Sequence, residues 1–184
     1  TVPWDARTQK LRALPLLLTS KPITLGVYGS SRLQAEVDRA VQGADVAYAY
    51  SSSMGAFLLD HAHLRRVMHF AELDSDKWRQ YAARSHGPMR WLWSREARTL
   101  LEFERRIAAA FDASILCTPL EQEVFARYIL GVDSLVLRNG VDLDYFRPHR
   151  QARRETELVF TGVMDYEPNV DGVEWFARDI LPLI

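Results

Sequence analysis

The chain has a single cysteine, Cys117, and the lack of a second thiol excludes any disulfide within it. A reducing, cytoplasmic setting is therefore the default expectation. Cys117 ends the apolar run of residues 114–117, which predicts a buried thiol. We do not expect a catalytic cysteine, because an activated thiol needs a neighbouring base that the sequence does not show.

The chain also lacks an excess of charge and a long apolar run. Its 23 Lys and Arg residues against 24 Asp and Glu leave a net charge of −1, which gives no general reason to expect a nucleic-acid partner. Residues 13–18 are apolar but contain Pro15, and they are far fewer than the ~20 residues that a membrane span needs. No signal-peptide cleavage site follows them, and the pattern predicts a short amphipathic helix.

Short runs typical of β-strands alternate with segments of helical periodicity. Strands are predicted at residues 24–28, 45–50, 65–71, 113–117, 135–137 and 158–160. Helices are predicted from Ser30 or Ser31 to Val41, from Asp74 or Ser75 to Arg84, over residues 89–111, and from the capping box Thr118-Pro119-Leu120-Glu121 to about Leu130. This alternation favours an α/β fold with a parallel sheet, and residues 45–50 are expected to be a buried strand.

In a parallel α/β sheet, ligands bind outside the carboxyl ends of the strands, so the residues that follow each strand are candidates. This rule selects Ser51 to Ser53, with Ser52 as the leading candidate of the three, together with Glu72, Asp74, Thr118, Glu121, Asn139, Gly140, Gly162 and Asp165. Three of these positions have structural alternatives. Asp74 is favoured as a helix cap, Asn139-Gly140 is also a hairpin signal, and Gly162 also fits an ordinary turn between a strand and a helix.

Two segments of the chain carry a family resemblance. The string NGVDLDYF from Asn139, followed after a charged spacer by LVFTGVMDYEPNVDGVEWF from Leu158, resembles the interdomain crossover of retaining GT-B glycosyltransferases, the group-1 sugar transferases of glycosyltransferase family 4. Residues 72–118 look like the sugar transferases found with exosortase and exopolysaccharide gene clusters. The resemblance covers roughly residues 21–184.

The resemblance implies a GT-B architecture with an incomplete, Rossmann-like acceptor-side domain. That domain would span residues 1–147, followed by a linker at 148–155 and the first strand and helix of the donor-side domain at 156–184. The donor-binding basic residues and paired glutamates of the family have no match here, so we expect a fragment that is inactive alone.

The activity that the resemblance implies is retaining hexosyl transfer from a nucleotide sugar to a hydroxyl of a glycan or lipid-linked acceptor. It would serve exopolysaccharide or cell-surface glycan synthesis, without a metal and without a cofactor beyond the donor. The sequence around His61 and His63 likewise lacks the further ligands of a zinc site. The alternative is a non-catalytic α/β binding or scaffold module.

The resemblance also suggests roles for individual residues, although it assigns no catalytic one. Asn139 and Gly140 would face the cleft, and Gly162 with Asn169 would place a helix N-terminus near the donor diphosphate. The sequence departs from the family at Glu72 and Asp74, where many relatives carry a His-Asp pair.

Arginine and tryptophan are interleaved over residues 77–106. This pattern fits a peripheral contact with anionic lipid at the inner face of a membrane, which would suit a lipid-linked acceptor. It also fits solvated arginines opposite a packed aromatic face, and this second interpretation is favoured because glutamates dilute the charge.

Overall fold

The computed structural model describes residues 5–147 and 157–184. The chain divides into two compact units, Thr1–Gly140 and Val141–Ile184. The predicted linker, residues 148–155, lies outside the described residues.

The first unit is built on a parallel sheet of four strands in the order β1-β2-β3-β4. The strands are β1 (Val46–Tyr50), β2 (Arg65–Ala71), β3 (Ala113–Leu116) and β4 (Ser134–Val136). Helical segments connect each strand to the next, which brings all four carboxyl ends to one edge of the sheet. The predicted α/β fold with a parallel sheet is confirmed, and it is compatible with a Rossmann-like fragment.

The helices of this unit flank the strands in sequence. They are α1 (Ala6–Ala13) with a 3₁₀ turn at Leu14–Leu18, α2 (Ile23–Tyr28), α3 (Ser31–Ala40), α4 (Ser52–Gly55) with a 3₁₀ turn at Ala56–Leu58, α5 (Asp74–Arg84), α6 (Gly87–Ala110) and α7 (Pro119–Tyr128). Two predicted helix starts are confirmed by their caps. The Ser30 hydroxyl accepts the N–H of Leu33 at 3.2 Å, and the Thr118 hydroxyl accepts the N–H of Glu121 at 3.1 Å.

The strand predicted at residues 24–28 is wrong, because these residues form α2. A residue that is distant in the sequence stabilises this helix. Glu96 of α6 is 2% exposed, and its two carboxylate oxygens accept the N–H groups of Ile23 and Thr24, each at 2.8 Å. These bonds satisfy free N–H groups at the start of the helix and override the β-propensity of the segment.

The core lies on one face of the sheet. Met68 and Leu116 point into it from the strands and are fully buried together with Leu100, Ile107 and Phe125 of α6 and α7. On the opposite face, the β1 side chains Val46, Tyr48 and Tyr50 are more than half exposed. Residues 45–50 therefore form a half-buried strand instead of the buried strand that was expected, because β1 is an edge strand whose residues alternate between the two faces.

The second unit contains α8 (Glu167–Trp175), a π-helical turn at Phe176–Ile180 and a 3₁₀ turn at Leu181–Leu183. The strand predicted at residues 158–160 is not formed, and no described segment pairs with these residues. The hairpin alternative at Asn139-Gly140 is also wrong. Instead of a second strand, the carboxylate of Asp142 accepts the N–H groups of Asp144 and Tyr145, each at 3.0 Å, and turns the chain.

Over the described ranges, 5–147 and 157–184, no helix is both long enough and apolar enough to cross a bilayer.

Candidate functional site

A cavity of about 440 Å³ opens at the carboxyl ends of the strands. Its walls come from the segments that directly follow β1, β2, β3 and β4, as expected for a ligand site in a parallel α/β sheet. The lining residues are Tyr50, Ser51, Phe70, Ala71, Glu72, Asp74, Cys117, Thr118, Glu121 and Asn139.

Six of the residues selected from the sequence meet in this cavity: Ser51, Glu72, Asp74, Thr118, Glu121 and Asn139. Ser52 lies just behind its wall. It is fully buried, and its hydroxyl donates a hydrogen bond to Asp74 Oδ2 at 3.2 Å. The arrangement therefore gathers carboxylates, a hydroxyl and an amide around one space, a set that can donate to and accept from several hydroxyl groups of a ligand.

The expected capping role of Asp74 is wrong. The cap residue of α5 is Leu73, which makes no side-chain cap, and Asp74 is the first residue of the helix. Its carboxylate faces Ser52 and Lys77 instead, with Lys77 Nζ 2.6 Å from Asp74 Oδ1. Glu104 of α6 stabilises the N-terminus of α5 instead, because its carboxylate accepts the backbone N–H of Ser75 at 3.3 Å.

Opposite charge and burial set the electrostatics of the cavity. Lys77 Nζ also lies 3.6 Å from Glu72 Oε1, so one ammonium group serves two carboxylates. Burial raises the pKa of Glu121, and the charges of Glu72 and Asp76 raise it further, while a hydrogen bond with the Leu73 backbone lowers it. Glu121 therefore binds a proton more readily than an exposed glutamate does.

A second buried carboxyl group stands behind the cavity. Glu104 is fully buried, and the Ser75 hydroxyl donates to its Oε2. Burial raises the pKa of Glu104 to about 8, and the nearby charge of Asp74 adds to the effect, although the hydrogen bonds from Ser75 oppose it. No sequence pattern predicts this role for Glu104 beyond its position on the apolar side of α6.

Cys117 is not the buried thiol that was expected, because it is partly exposed and lines the cavity. Its Sγ lies 3.3 Å from Nε2 of His69 and 3.6 Å from Oδ1 of Asn139. The other ring nitrogen of His69 contacts the Tyr48 hydroxyl. Burial lowers the pKa of His69, which favours a neutral imidazole that can accept a proton from the thiol or the phenol.

The backbone is strained at the same place. Among the described residues, the non-glycine residues with positive φ are Ser51 at 72° and Ala71 at 63°, and both line the cavity. For residues with a Cβ, a positive φ of this kind costs on the order of 1–3 kcal/mol each. Such strain concentrates where a fold must hold a binding surface in a fixed shape. The residue types of Ser51 and Ala71 give no sign of it in the sequence.

The remaining candidates do not line this cavity. Gly140 is exposed, and a Cβ added there would meet nothing within 4 Å, so the fold itself does not require glycine. Gly162, Asp165 and Asn169 belong to the second unit, where the Asn169 side chain donates to the carbonyl of Val163 at 2.9 Å. Asn169 thus fixes the loop that carries Gly162.

No group of three or more His, Cys, Asp or Glu side chains in the described part of the chain is placed to hold a metal ion. His61 Nε2 lies 2.9 Å from the carboxylate of Asp38.

Three comparisons with known proteins found no relative of this chain. No protein-family model matches it, no curated protein matches it, and no solved structure matches it.

Proposed function

We propose that this chain forms the acceptor-side part of a retaining GT-B glycosyltransferase, which moves a hexosyl group from a nucleotide sugar to an acceptor hydroxyl. The observation that carries the proposal is the cavity at the carboxyl ends of the parallel strands. Its polar lining of Glu72, Asp74, Thr118, Glu121 and Asn139 suits the hydroxyl groups of a sugar acceptor. The order of the NGVD, FTG and PN motifs supports the same family.

The contacts suggest different tasks for the two best-defined carboxyl groups. Asp74 is held by Ser52 and Lys77, so it offers a fixed acceptor for a ligand hydroxyl. Glu121 has a raised pKa, so it can exchange a proton with a ligand hydroxyl closer to neutral pH than an ordinary glutamate. Neither group forms a covalent bond in this scheme, and both orient the acceptor.

Bond breaking takes place on the donor. The glycosidic bond to the diphosphate breaks with its electron pair going to the diphosphate oxygen, the acceptor oxygen forms the new bond to the sugar, and the acceptor hydroxyl gives its proton to the leaving diphosphate. Charge develops on the leaving diphosphate, where helix N-termini and basic side chains of the enzyme stabilise it. Within the second unit, the Gly162 loop and the start of α8 are the segments whose backbone N–H groups would suit such an anion, as the family resemblance suggests.

The test is nucleotide release from a panel of UDP-, GDP- and ADP-sugars by the full-length protein, with candidate acceptors present and absent. Release that depends on the acceptor with at least one donor is the expected result. Donor binding without any release would favour the alternative, a non-catalytic binding or scaffold module. Neither binding nor release with any donor would overturn the proposal.

A further inference from the structure

The first unit has a second recess, of about 430 Å³, between α1 and the start of α3. It shares no lining residue with the cavity at the carboxyl ends of the strands. Among its described lining residues there is no carboxylate and no apolar side chain, so the recess suits a polar ligand of negative charge. The lining residues are Gln9, Arg12, Gly26, Gly29, Ser30, Ser31 and Arg32.

A close contact between α1 and α2 brings the two sides of this recess together. A Cβ built at Gly26 would lie 2.5 Å from Cδ1 of Leu16 and 2.9 Å from Cβ of Ala13, so glycine is what permits the contact. Arg12 precedes Ala13 in the last turn of α1, and Arg32 lies in the first turn of α3, which follows α2. The two guanidinium groups therefore line one space, although they belong to different helices.

Both of these arginines are exposed and have no protein partner. Within the described ranges, 5–147 and 157–184, no ion pair or hydrogen bond involves the guanidinium group of Arg12 or of Arg32. Two like charges that line one recess repel each other, and an anion between them is attracted by both. A bound anion would therefore stabilise the folded chain.

The nearby carboxylates do not neutralise this pair. Residues 5–40 contain three acidic side chains, and each of them has another partner. Asp5 accepts the N–H of Thr8 at 2.8 Å, Glu36 pairs with Arg39 at 2.6 Å, and Asp38 lies 2.9 Å from Nε2 of His61. The positive charge of the recess is therefore available to a ligand.

Three arginines of the segment that the sequence analysis singled out, residues 77–106, are engaged by contrast. Arg79 pairs with Asp76, and Arg95 and Arg105 donate to backbone carbonyl groups. The arginines of the recess differ from these three because nothing in the described part of the chain holds them.

The side chains of the recess indicate the kind of anion. A guanidinium group presents parallel N–H donors that match the oxygens of a phosphate group. A phosphomonoester carries about −1.5 to −2 at neutral pH, which balances two guanidinium charges better than the single charge of a carboxylate does. The amide of Gln9 and the hydroxyl of Ser31 can bond to hydroxyl groups on the rest of the ligand.

We propose that this recess binds a small polar phosphomonoester, with Arg12 and Arg32 binding its phosphate group and Gln9 and Ser31 contacting its hydroxyl groups. The volume of the recess lies within the range of roughly 300–1,000 Å³ that is usual for small-molecule sites, so it holds more than the phosphate group alone. This inference does not depend on the proposed sugar transfer.

The experiment is isothermal titration calorimetry of the 184-residue chain at low ionic strength. The probes are inorganic phosphate, glycerol 3-phosphate, glycerol and acetate. Both phosphates are expected to bind saturably with dissociation constants of about 1 mM or below, with glycerol 3-phosphate at least as tight as inorganic phosphate. Acetate is expected to bind at least about ten-fold more weakly, and glycerol not at all.

Three results would overturn the proposal. The first is the absence of saturable binding of glycerol 3-phosphate up to about 10 mM. The second is equal binding of glycerol and glycerol 3-phosphate, and the third is equal binding of acetate and inorganic phosphate.

A matched set of variants locates the site. Arg12→Gln and Arg32→Gln are each expected to weaken phosphate binding about ten-fold or more, because each removes one charge-assisted contact. Arg7→Gln removes the same charge from α1, but Arg7 lies about 140° around the helix from Arg12 and does not line the recess. This control is expected to remain within about two-fold of wild type.

All three arginines are exposed, so the variants are expected to stay folded, which circular dichroism checks. Equal losses in Arg7→Gln and Arg12→Gln would show a general attraction of anions to basic side chains and would contradict the site.

Discussion

Glu104 makes the stability of the fold depend on pH in an unusual direction. Its carboxyl group is buried, and its pKa is raised from an ordinary value near 4.5 to about 8. Between about pH 4.5 and about pH 8, the folded state therefore keeps a proton on Glu104 that the unfolded chain has already released. Stability from this group is fully present below about pH 4.5 and is lost as pH rises towards about pH 8.

The magnitude follows from the two pKa values. Between them, the free energy of unfolding falls by about 1.4 kcal/mol for each pH unit. From about pH 5 to about pH 9 the loss amounts to about 4 kcal/mol, a large part of the stability of an ordinary domain. Replacing Glu104 by glutamine removes the titration, and the amide can still accept the Ser75 N–H and bond to the Ser75 hydroxyl.

The assay is urea denaturation of the wild-type chain and the Glu104→Gln variant across this pH range. The difference between the two free energies is expected to change by about 4 kcal/mol, with the variant gaining relative to wild type as pH rises. Glu102→Gln, an exposed neighbour on α6, serves as the control and is expected to follow wild type. Parallel pH profiles for wild type and Glu104→Gln would refute the reasoning.

Three further predictions concern other parts of the structure. Alkylation of Cys117, the one thiol of this 184-residue chain, is expected to weaken acceptor binding by the chain about ten-fold because the added group occupies the cavity, and unchanged binding after complete labelling would contradict this. Gly140→Ala is expected to reduce transfer by the full-length protein while changing the unfolding free energy by less than about 0.5 kcal/mol. Gly172→Ala in α8 is expected to stabilise the second unit by about 0.5–1 kcal/mol. Thermal melts measure the stability of both variants, and activity assays measure the transfer. Glu96→Ala is expected to destabilise the chain by about 3 kcal/mol or more, because two N–H groups of α2 lose their acceptor and the buried Arg95 loses its ion pair, and a loss no larger than that of Glu102→Ala would exclude this role.

The sequence was most informative where structure depends on neighbouring residues. Ser30 and Thr118 each cap a helix that begins at the next residue, so both helix starts were predicted from a few letters. The strand at residues 65–71 was predicted to the residue, since it is a β-rich run bounded by turn residues. The rule that ligands bind at the carboxyl ends of parallel strands then found six residues of the cavity without knowledge of their contacts.

The errors arose where a distant residue decides the local structure. Residues 24–28 became helical because Glu96, more than seventy residues further along the chain, accepts the first N–H groups. For Cys117, the sequence predicted no neighbouring base, because the residue that contacts it, His69, lies on another strand. The segment at residues 158–160 has β-propensity, but a strand also needs a partner for its N–H and C=O groups, and sequence pattern does not supply one.

The measurement that tests the central claim most directly compares two glutamates on α7. Glu121 lines the cavity, and Glu123, two residues further on, is exposed outside it. In the full-length protein with the donor saturating, Glu121→Gln is expected to lower kcat/KM for the acceptor by about ten-fold or more while donor affinity stays unchanged, and Glu123→Gln is expected to remain within about two-fold of wild type. Equal activity of the two variants would show that the cavity does not bind the acceptor.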